Sequence, residues 1–419
     1  MNEGVKEKVK VNLQRLKTTI KWFIFALLSG IFIGVAASIF RLILARETEI
    51  RQAHSFLILF LPAGGLLIVF LYRMLKDEND TGTNLVLKTI QSGGRVPFRM
   101  APAIFFSTLI THLFGGSVGR EGAALQFGGS IGGTLGRFFR FDEKDQHIMI
   151  MCGMSAAFSA LFGTPMTAAF FSMEVVTVGI MHYAALLPCV IASLSARSMS
   201  YVFGLDAEFF DPGFIPAVSA SSLGFAVLLA ILAGLVSILF CVALHRSEWL
   251  FSRLFKNPYL RIVIGGATIV GLTALVGDQT YNGTGVEVIE HCMNGSVAPY
   301  AFLLKILFTA ITIGAGFKGG EIIPSLFIGA AFGNLFASVF GFSSGICAAV
   351  GMTGLFCGVT NCPVTALLLS FELFGFAGMP YYLIAVAVSY VMSGYFGLYK
   401  SQKIMYSKFK TSFINRKTH

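Results

Sequence analysis

The stretch Gly116–Gly133, which reads GSVGREGAALQFGGSIGG, returns about two hundred residues later as Gly316–Gly333, which reads GFKGGEIIPSLFIGAAFG. Each copy carries a glutamate near its centre. A second repeated segment follows each copy, because residues 158–174 recur in part as residues 356–372 at an offset of 198 residues. Two copies of one unit in a very apolar chain predict a membrane protein built from structural repeats.

The composition is that of a membrane protein. The 419 residues are 55% hydrophobic and 12% charged, against about a quarter charged in soluble proteins. The mean hydropathy is +0.76, which excludes a soluble multidomain enzyme. Several runs approach the roughly 20 apolar residues that cross a bilayer, namely Trp22–Phe40, Ser55–Tyr72, Leu223–Ala243 and Ile384–Leu398. Glycine interrupts two shorter runs, Ala101–Gly115 and Ala123–Gly136, as expected for broken helices inside a polytopic protein.

The net charge of +10 is concentrated near the two ends of the chain. Because basic residues favour the cytoplasmic side, both termini are predicted to be cytoplasmic. We expect a basic cytoplasmic segment at residues 1–20, one transmembrane transport domain at residues 21–399 and a basic cytoplasmic tail at residues 400–419. The expected surroundings are the lipid bilayer of the cell membrane, and no nucleic acid. Seven scattered cysteines give neither metal spacing nor a disulfide framework, so neither a metal nor a cofactor is predicted.

The transport domain divides into two halves, residues 21–205 and 214–399, joined by the polar stretch 206–212. Each half contains about seven apolar segments. An odd number of crossings would invert the second copy relative to the first, so that equivalent motifs meet near the bilayer midplane. The predicted fold is therefore an all-α polytopic membrane protein with an inverted repeat and broken helices.

Glu121 is the first candidate for function, because a carboxylate within an apolar membrane region is costly. It lies in the run Gly119-Arg120-Glu121-Gly122-Ala123, where glycines expose backbone amides and the start of a helix favours an anion. The carboxylate could fill that anion site itself and leave when protonated. Alternatively, Glu121 only caps its helix and pairs with Arg120.

Three further segments could supply groups that bind an anion. Gly82-Thr83-Asn84 precedes an apolar run and offers a hydroxyl and an amide. After Glu321, proline in the first helical turn predicts free amides at Ile322 and Ile323. Tyr399 follows the last apolar run and could donate a phenolic hydrogen bond, although a single tyrosine there is also typical of the membrane interface.

These motifs resemble those of the CLC superfamily of chloride channels and anion/proton antiporters over nearly the whole chain. Gly116–Gly133 is similar to the GREGP-type signature, with Ala123 in place of proline, and residues 155–174 resemble the segment that follows it. Gly316–Gly333 is similar to the region of the GxFxP motif, and Tyr399 matches the pore tyrosine. The resemblance implies a homodimer and transport of a halide, with Glu121 as a gate that exchanges protons and competes with the anion.

Departures from the chloride-type pattern point to one branch of that superfamily. The pore motif GSGIP is here Gly82–Val86, so either Thr83 or Asn84 takes the place of its serine. The region similar to the GxFxP motif contains an acid, Glu321. Val175 occupies the position where chloride-type antiporters have an internal proton glutamate. This combination resembles the fluoride/proton antiporters, with Glu121 and Glu321 as gate and proton-transfer residues. Either chloride or fluoride remains possible as the halide.

Other readings of these residues are weaker or concern structure alone. Ser117 satisfies a G-x-S-x-G pattern, but no strand–turn–helix context supports a hydrolase. Glu174 and Glu372 recur in both copies, which favours a shared role in binding free amides at a neighbouring helix end. His112, His182 and Asn361 are expected to be structural, with Asn361 at a helix start. A passive chloride channel of the same fold is the main alternative to a coupled antiporter, since both need Glu121.

Overall fold

The computed structural model describes residues 3–77 and 81–419, and the side chains from residue 10 onward within the first range. The described chain is almost entirely helical. The first half contains eight helices: α1 (Glu3–Ala53), α2 (Leu61–Met74), α3 (Thr83–Ser92), α4 (Met100–Leu113), α5 (Glu121–Phe138), α6 (Glu143–Phe162), α7 (Pro165–Glu174) and α8 (Leu186–Val202).

The second half repeats this order with eight more helices. They are α9 (Ala220–Leu254), α10 (Pro258–Val276), α11 (Val286–Asn294), α12 (Ala301–Ala315), α13 (Ile322–Phe340), α14 (Ser344–Thr360), α15 (Pro363–Phe374) and α16 (Met379–Met392). In each half one of the eight helices, α3 or α11, is short and amphipathic, which leaves seven other helices beside the predicted count of about seven apolar segments. The link between the halves is non-helical from residue 205 to residue 219.

The helices differ in length in a way that fits an integral membrane protein. Six helical segments of the described chain are long and apolar enough to cross a bilayer, and the longest, Lys10–Ala53 and Ala220–Leu254, begin the two halves. The apolar helices α4, α12, α14, α15 and α16 have only 10–17 residues, fewer than the roughly 20 that cross a bilayer. Their terminal amides and carbonyls must therefore find partners in the protein, since lipid supplies none.

The two halves are related by an inverted repeat, which confirms the predicted fold class. At the C-terminal end of α7, the Glu174 carboxylate accepts the backbone N–H groups of Val364 (3.1 Å) and Thr365 (2.8 Å) and the Thr365 hydroxyl (2.5 Å). Near the end of α15, Glu372 makes the same three bonds with Met166 and Thr167 at 2.9, 2.8 and 2.6 Å. Each helix thus caps the start of the other, so α7 and α15 run antiparallel and the predicted structural role of both glutamates is confirmed.

Glycines at four-residue spacing (Gly129–Gly133, Gly132–Gly136 and Gly329–Gly333) predict close packing of the helices that follow the repeated glutamates. A Cβ atom built on Gly132 of α5 would lie 3.1 Å from the Cα of Gly153 on α6. In the second half, a Cβ atom on Gly329 of α13 would lie 2.5 Å from the Gly351 carbonyl oxygen on α14. Side chains cannot be accommodated at either crossing, so the helix that carries each glutamate is held against its neighbour.

The end of the chain departs from the predicted all-α fold. The predicted run Ile384–Leu398 is not one helix, because α16 ends at Met392 and turns follow, one of them with Gly394 at a φ of 55°. The expected tail at residues 400–419 instead folds into β2 (Lys403–Tyr406) and β3 (Phe413–Lys417), an antiparallel pair. The strand β2 also pairs in parallel with β1 (Thr177–Val178). The tail therefore packs on the transport domain.

We predict that Glu174→Ala lowers the thermal stability of the protein without changing its helical fold. Removal of the carboxylate leaves the amides of Val364 and Thr365 without this acceptor, and for the buried Thr365 amide the loss costs about 1–3 kcal/mol. The apparent Tm of purified protein in detergent should fall by several degrees, and Glu174→Gln should fall less because one acceptor remains. The exposed Glu49 pairs with Arg46 on the helix surface, so Glu49→Ala is the control. An equal fall in both alanine variants would contradict the capping role.

Candidate functional site

The candidate site lies where the two copies of the repeated motif touch. Gly119 and Gly320 form an antiparallel bridge in which each N–H donates to the carbonyl oxygen of the other at 2.6 Å. A Cβ atom built on Gly320 would lie 2.5 Å from the Gly122 nitrogen and 2.8 Å from the Glu121 nitrogen. Glycine is required here because the two backbones approach each other directly. The bridge sets the N-termini of α5 and α13 side by side.

Glu121 is the first residue of α5, and its side chain is fully buried. Its carboxylate oxygen Oε2 accepts the backbone N–H of Ile323, in the first turn of α13, at 3.1 Å. The other oxygen, Oε1, has no hydrogen-bond partner in the described part of the chain. The carboxylate therefore occupies the amide-rich end of the opposite helix, where an anion would be favoured.

Glu321 lies on the other side of the bridge, directly before α13. A Cβ atom on Gly122 would lie 3.3 Å from its Oε2 atom, so this carboxylate faces the start of α5. The charges of Glu121 and Glu321 act on each other. The structure thus brings together the two predicted gate and proton-transfer residues. Glu121 faces the start of α13, and Glu321 faces the start of α5.

The start of α3 supplies the hydroxyl predicted for the site. Gly82 has a φ of 63° and precedes Thr83, whose buried hydroxyl lies 3.5 Å from the Gly122 carbonyl oxygen. The Asn84 side chain points elsewhere and accepts the Ser401 N–H at 2.8 Å. Of the two candidates for the pore serine position, Thr83 therefore lies beside α5, whereas Asn84 anchors the C-terminal segment.

Sequence reasoning missed Gln126, which belongs to the same cluster. Its Nε2 atom donates to the Thr83 hydroxyl at 3.3 Å, and its Oε1 atom lacks a partner among the described residues. The residue lies one and a half turns after Glu121 on α5. Its side chain is only 5% exposed, but in the sequence it is one of several polar residues in the repeat and carries no distinguishing signal.

Tyr399 is buried at 2% exposure and is not an interfacial aromatic. Its hydroxyl has no hydrogen-bond partner in the described chain, and the charges of Glu321 and Glu121 act on it. The Thr418 hydroxyl donates to the Tyr399 carbonyl at 2.7 Å, so the folded tail holds this residue in place. Tyr399 therefore offers an unused buried hydroxyl near both carboxylates.

The remaining predicted anion-binding residues divide into two groups. The backbone at Gly119, Gly122, Ala123, Ile322 and Ile323 is buried around the two helix starts. Arg120, in contrast, forms an ion pair with Glu208 of the link between the halves and lies over the Phe162 ring at 5.5 Å. Among the described residues its ion-pair partner is Glu208, so Glu121 is held by the amide of Ile323 and not by a pair with Arg120.

The segment that leads to Glu121 is braced by polar contacts. The Ser117 hydroxyl lies 3.0 Å from the Thr309 hydroxyl, and the Ser117 N–H donates to Thr312 at 3.2 Å. Ser117 has no histidine or acid as a hydrogen-bond partner in the described chain, and it lies between two helices. The buried His112 ring lies 3.4 Å from the Gly119 carbonyl oxygen, as expected for a structural residue.

Two other residues differ in detail from their predictions. Asn361 ends α14 in the left-handed conformation, with a φ of 58°, and does not start α15. Its side chain donates to the Phe396 carbonyl at 2.9 Å, so it links α14 to the C-terminal segment. His182 is half-buried outside the site, and its Nε2 atom has no partner among the described residues. The described part of the chain contains no cluster of side chains suited to a metal.

Comparison with known proteins identifies relatives over nearly the full length. The family described as "Voltage gated chloride channel" matches residues 64–394. A "Chloride/fluoride channel protein" from Pseudomonas syringae pv. tomato is 34% identical and covers 94% of this chain and 89% of its own. An "H(+)/Cl(-) exchange transporter ClcA" from Vibrio cholerae is 26% identical over 88% of this chain and 85% of its own.

Solved structures share the fold. The crystal structure of a CLC-type fluoride/proton antiporter superimposes with a TM-score of 0.89, at 33% identity, over 92% of this chain and 98% of that chain. A slow cyanobacterial Cl⁻/H⁺ antiporter superimposes with a TM-score of 0.75, at 20% identity, over 89% of this chain and 94% of that chain. At that lower identity the likeness concerns the fold alone.

We predict that Gly320→Ala destabilises the site because the added methyl group meets backbone atoms of Gly122 and Glu121. Overpacking of this kind costs about 1–3 kcal/mol, and the apparent Tm in detergent should fall by several degrees. Gly271 is the matched control, since a Cβ atom there would meet nothing within 4 Å. Gly271→Ala should leave the Tm unchanged or raise it slightly. If Gly320→Ala proves as stable as Gly271→Ala, the close backbone approach at the bridge is wrong.

Proposed function

This chain belongs to the voltage-gated chloride channel family, and we propose on that premise that it exchanges a halide for protons across a membrane. The observation that carries the proposal is the Glu121 carboxylate on the Ile323 amide with its second oxygen unpartnered. The arrangement is that of an anion site occupied by a side chain. It supports the role of Glu121 as the gate.

The exchange follows from the chemistry of that carboxylate. When ionised, Glu121 competes with a halide for the N–H of Ile323 and for the positive end of α13. A proton that arrives at the unpartnered Oε1 removes this charge and weakens the bond to the amide. The side chain then leaves, and a halide takes its place. Return of Glu121 to the amide requires loss of the proton, so anion and proton move alternately.

Glu321 supplies a second carboxylate for the proton path. It lies across the Gly119–Gly320 bridge from Glu121, and the two charges act on each other. A proton on one carboxylate therefore favours ionisation of the other. We assign Glu321 to proton transfer in series with Glu121, a role that a simple pore does not require.

The anion itself would be held by neutral donors. The Thr83 hydroxyl and the Gln126 side-chain amide lie together beside α5, and the buried Tyr399 hydroxyl has no hydrogen-bond partner among the described residues. Fluoride is small and strongly hydrated, so its site needs a dense set of donors to replace lost water. Together with the similarity to the CLC-type fluoride/proton antiporter, this donor set favours fluoride over chloride as the substrate.

A passive anion channel is the second candidate. The family description and the name of the relative from Pseudomonas syringae both contain the word channel. Glu121 would then open the pore without moving protons in a fixed ratio. Glu321 favours the coupled antiporter, because a pore that conducts only anions gains nothing from a second buried acid.

The surroundings of the protein complete the proposal. Basic residues flank both ends of the transport domain. By the positive-inside rule, this favours a protein of the cell membrane with both termini on the cytoplasmic side. Arg246, Arg253 and Lys256 near the end of α9 fit the same side. A homodimer with one transport path in each chain is the assembly that the family resemblance implies.

The deciding experiment uses purified protein in liposomes, with anion efflux and internal pH recorded together. We expect fluoride efflux to drive protons in the opposite direction, even against a proton gradient, and chloride efflux to be slower. If fluoride efflux moves no protons, the chain is a channel. If neither halide leaves the liposomes, the proposed transport function is wrong.

We predict that Glu121→Gln abolishes proton movement, because the amide cannot exchange a proton and cannot be ionised. Residual anion movement would then be insensitive to pH between about pH 5 and 8, whereas the wild-type rate should change across that range. Glu49→Gln, at an exposed position on α1, serves as the control. Proton coupling that survives Glu121→Gln would remove this residue from its assigned role.

Glu321→Gln tests the second acid separately. We expect anion efflux to continue while the number of protons moved per anion falls, since the relay is lost but the gate remains. The ratio of the two fluxes in the same liposome assay is the measurement. An unchanged ratio would show that Glu321 contributes only to structure.

A further inference from the structure

A second polar region lies apart from Glu121, at the ends of α1 and α10. A cavity of about 1220 Å³ opens there between the last turn of α1, the turn that follows it and the segment from α10 to the start of α12. Polar side chains in its lining include Arg51, Gln52, Gln279, Asn282, Glu287 and His291. None of the predicted site residues lines this cavity.

Arg51 is the unusual residue of the cavity. Its side chain is only 8% exposed, and its Nε atom has no hydrogen-bond partner among the described residues. The described chain also places no carboxylate within ion-pair distance of it. The guanidinium lies against the backbone of Gly283, where a Cβ atom would be 2.7 Å from Nη2. A buried cation without a partner is costly, so this position favours an anion from solvent.

A lysine lies behind the cavity wall. Lys305 of α12 is fully buried, and its Nζ atom donates to the carbonyl oxygens of Tyr281 (3.2 Å) and Gly283 (2.8 Å). These bonds fix the backbone against which the Arg51 guanidinium lies.

Two acids, Asp278 and Glu287, also line the cavity. Glu287 acts electrostatically on Arg51, but its carboxylate accepts the Gln52 side-chain amide. The Asp278 carboxylate accepts the backbone N–H of Thr280 at 2.8 Å. Both acids thus have other hydrogen-bond partners, and Glu287 competes with an incoming anion without pairing directly with the guanidinium.

We propose that this cavity binds a small inorganic anion at Arg51, at a site separate from the one held by Glu121. The anion is the transported halide if the proposed function is correct, so the identity of the ligand rests on that function. The site itself rests on the buried guanidinium, its unpartnered Nε atom and the cavity that it lines.

The Arg51 site is connected to the gate through backbone contacts. The Gly283 N–H donates to the Gly116 carbonyl at 3.1 Å, and the Asn282 side chain donates to the Gly115 carbonyl at 2.9 Å. Gly115 and Gly116 begin the segment that ends at Glu121. An anion at Arg51 therefore acts on a loop that is hydrogen-bonded to the gate segment, and its binding should assist transport from that side.

Anion binding is the direct test. Purified full-length protein in detergent is titrated with sodium fluoride and with sodium chloride by isothermal titration calorimetry. We expect two anions per chain for wild-type protein and one for Arg51→Met, with Arg51→Lys intermediate in affinity. Arg46→Met is the matched control, because Arg46 lies on the same helix but is exposed and paired with Glu49. Equal stoichiometry for Arg51→Met and wild type would overturn the proposal.

Glu287→Gln provides a test in the opposite direction that does not depend on the folding of an Arg51 variant. Removal of the competing carboxylate should tighten the second anion site by about two- to fivefold. No change, or weaker binding, would overturn the proposal even if Arg51→Met failed to fold.

Transport kinetics distinguish anion binding from a merely structural role. In liposomes, Arg51→Met should raise the KM for the halide by roughly tenfold, the loss expected for one charge-assisted contact, while kcat stays unchanged. A fall in kcat at unchanged KM would identify a structural defect and overturn the proposal. If wild-type protein moves no halide but loses one bound anion on Arg51→Met, the proposed function fails and the Arg51 site stands.

Discussion

The structure depends on the supply of acceptors for helix N-terminal amides in an apolar interior. Broken helices leave free N–H groups where lipid and bulk water offer nothing. This chain meets the requirement with carboxylates brought from the opposite half. Glu174 and Glu372 cap α15 and α7, and Glu121 caps α13. Each cap lies at the contact between repeats, so the same interaction joins the halves and creates an anion site.

The three caps are chemically unequal, and this difference separates structure from function. Glu174 and Glu372 each accept two backbone N–H groups and a threonine hydroxyl, and both oxygens of each carboxylate are used. Glu121 accepts one amide from α13 and keeps one oxygen without a partner. A carboxylate with three bonds is costly to displace. A carboxylate with one such bond can exchange with an anion or a proton.

The repeat made the architecture predictable, because equal motifs at a nearly constant offset require equal surroundings. The glutamates and the glycine crossings were therefore readable from the sequence. The short helices α3 and α11 were not predictable from the sequence, because their polar residues are also typical of loops. The strands of the tail were also not predictable from the sequence. They are basic, and β2 pairs with Thr177 and Val178, which are distant in sequence. Gln126 could not be assigned because its partner, Thr83, is distant in sequence and is brought to it by tertiary packing alone.

The two halves share a scaffold but differ where an anion would bind. Gly82 before α3 corresponds to Gly285 before α11, and both have a positive φ. A Cβ atom on Gly82 would meet the Gln126 amide at 3.2 Å, whereas on Gly285 it would meet the Phe327 ring at 2.6 Å and the Lys305 ammonium at 3.5 Å. In the first half this space is bordered by neutral hydrogen-bonding groups, and in the second it is filled by an aromatic ring and the buried Lys305 side chain. The two repeats therefore have equivalent helix starts, but in the second repeat the space beside the helix start is occupied by the side chains of Phe327 and Lys305. This asymmetry favours a single anion path in each chain.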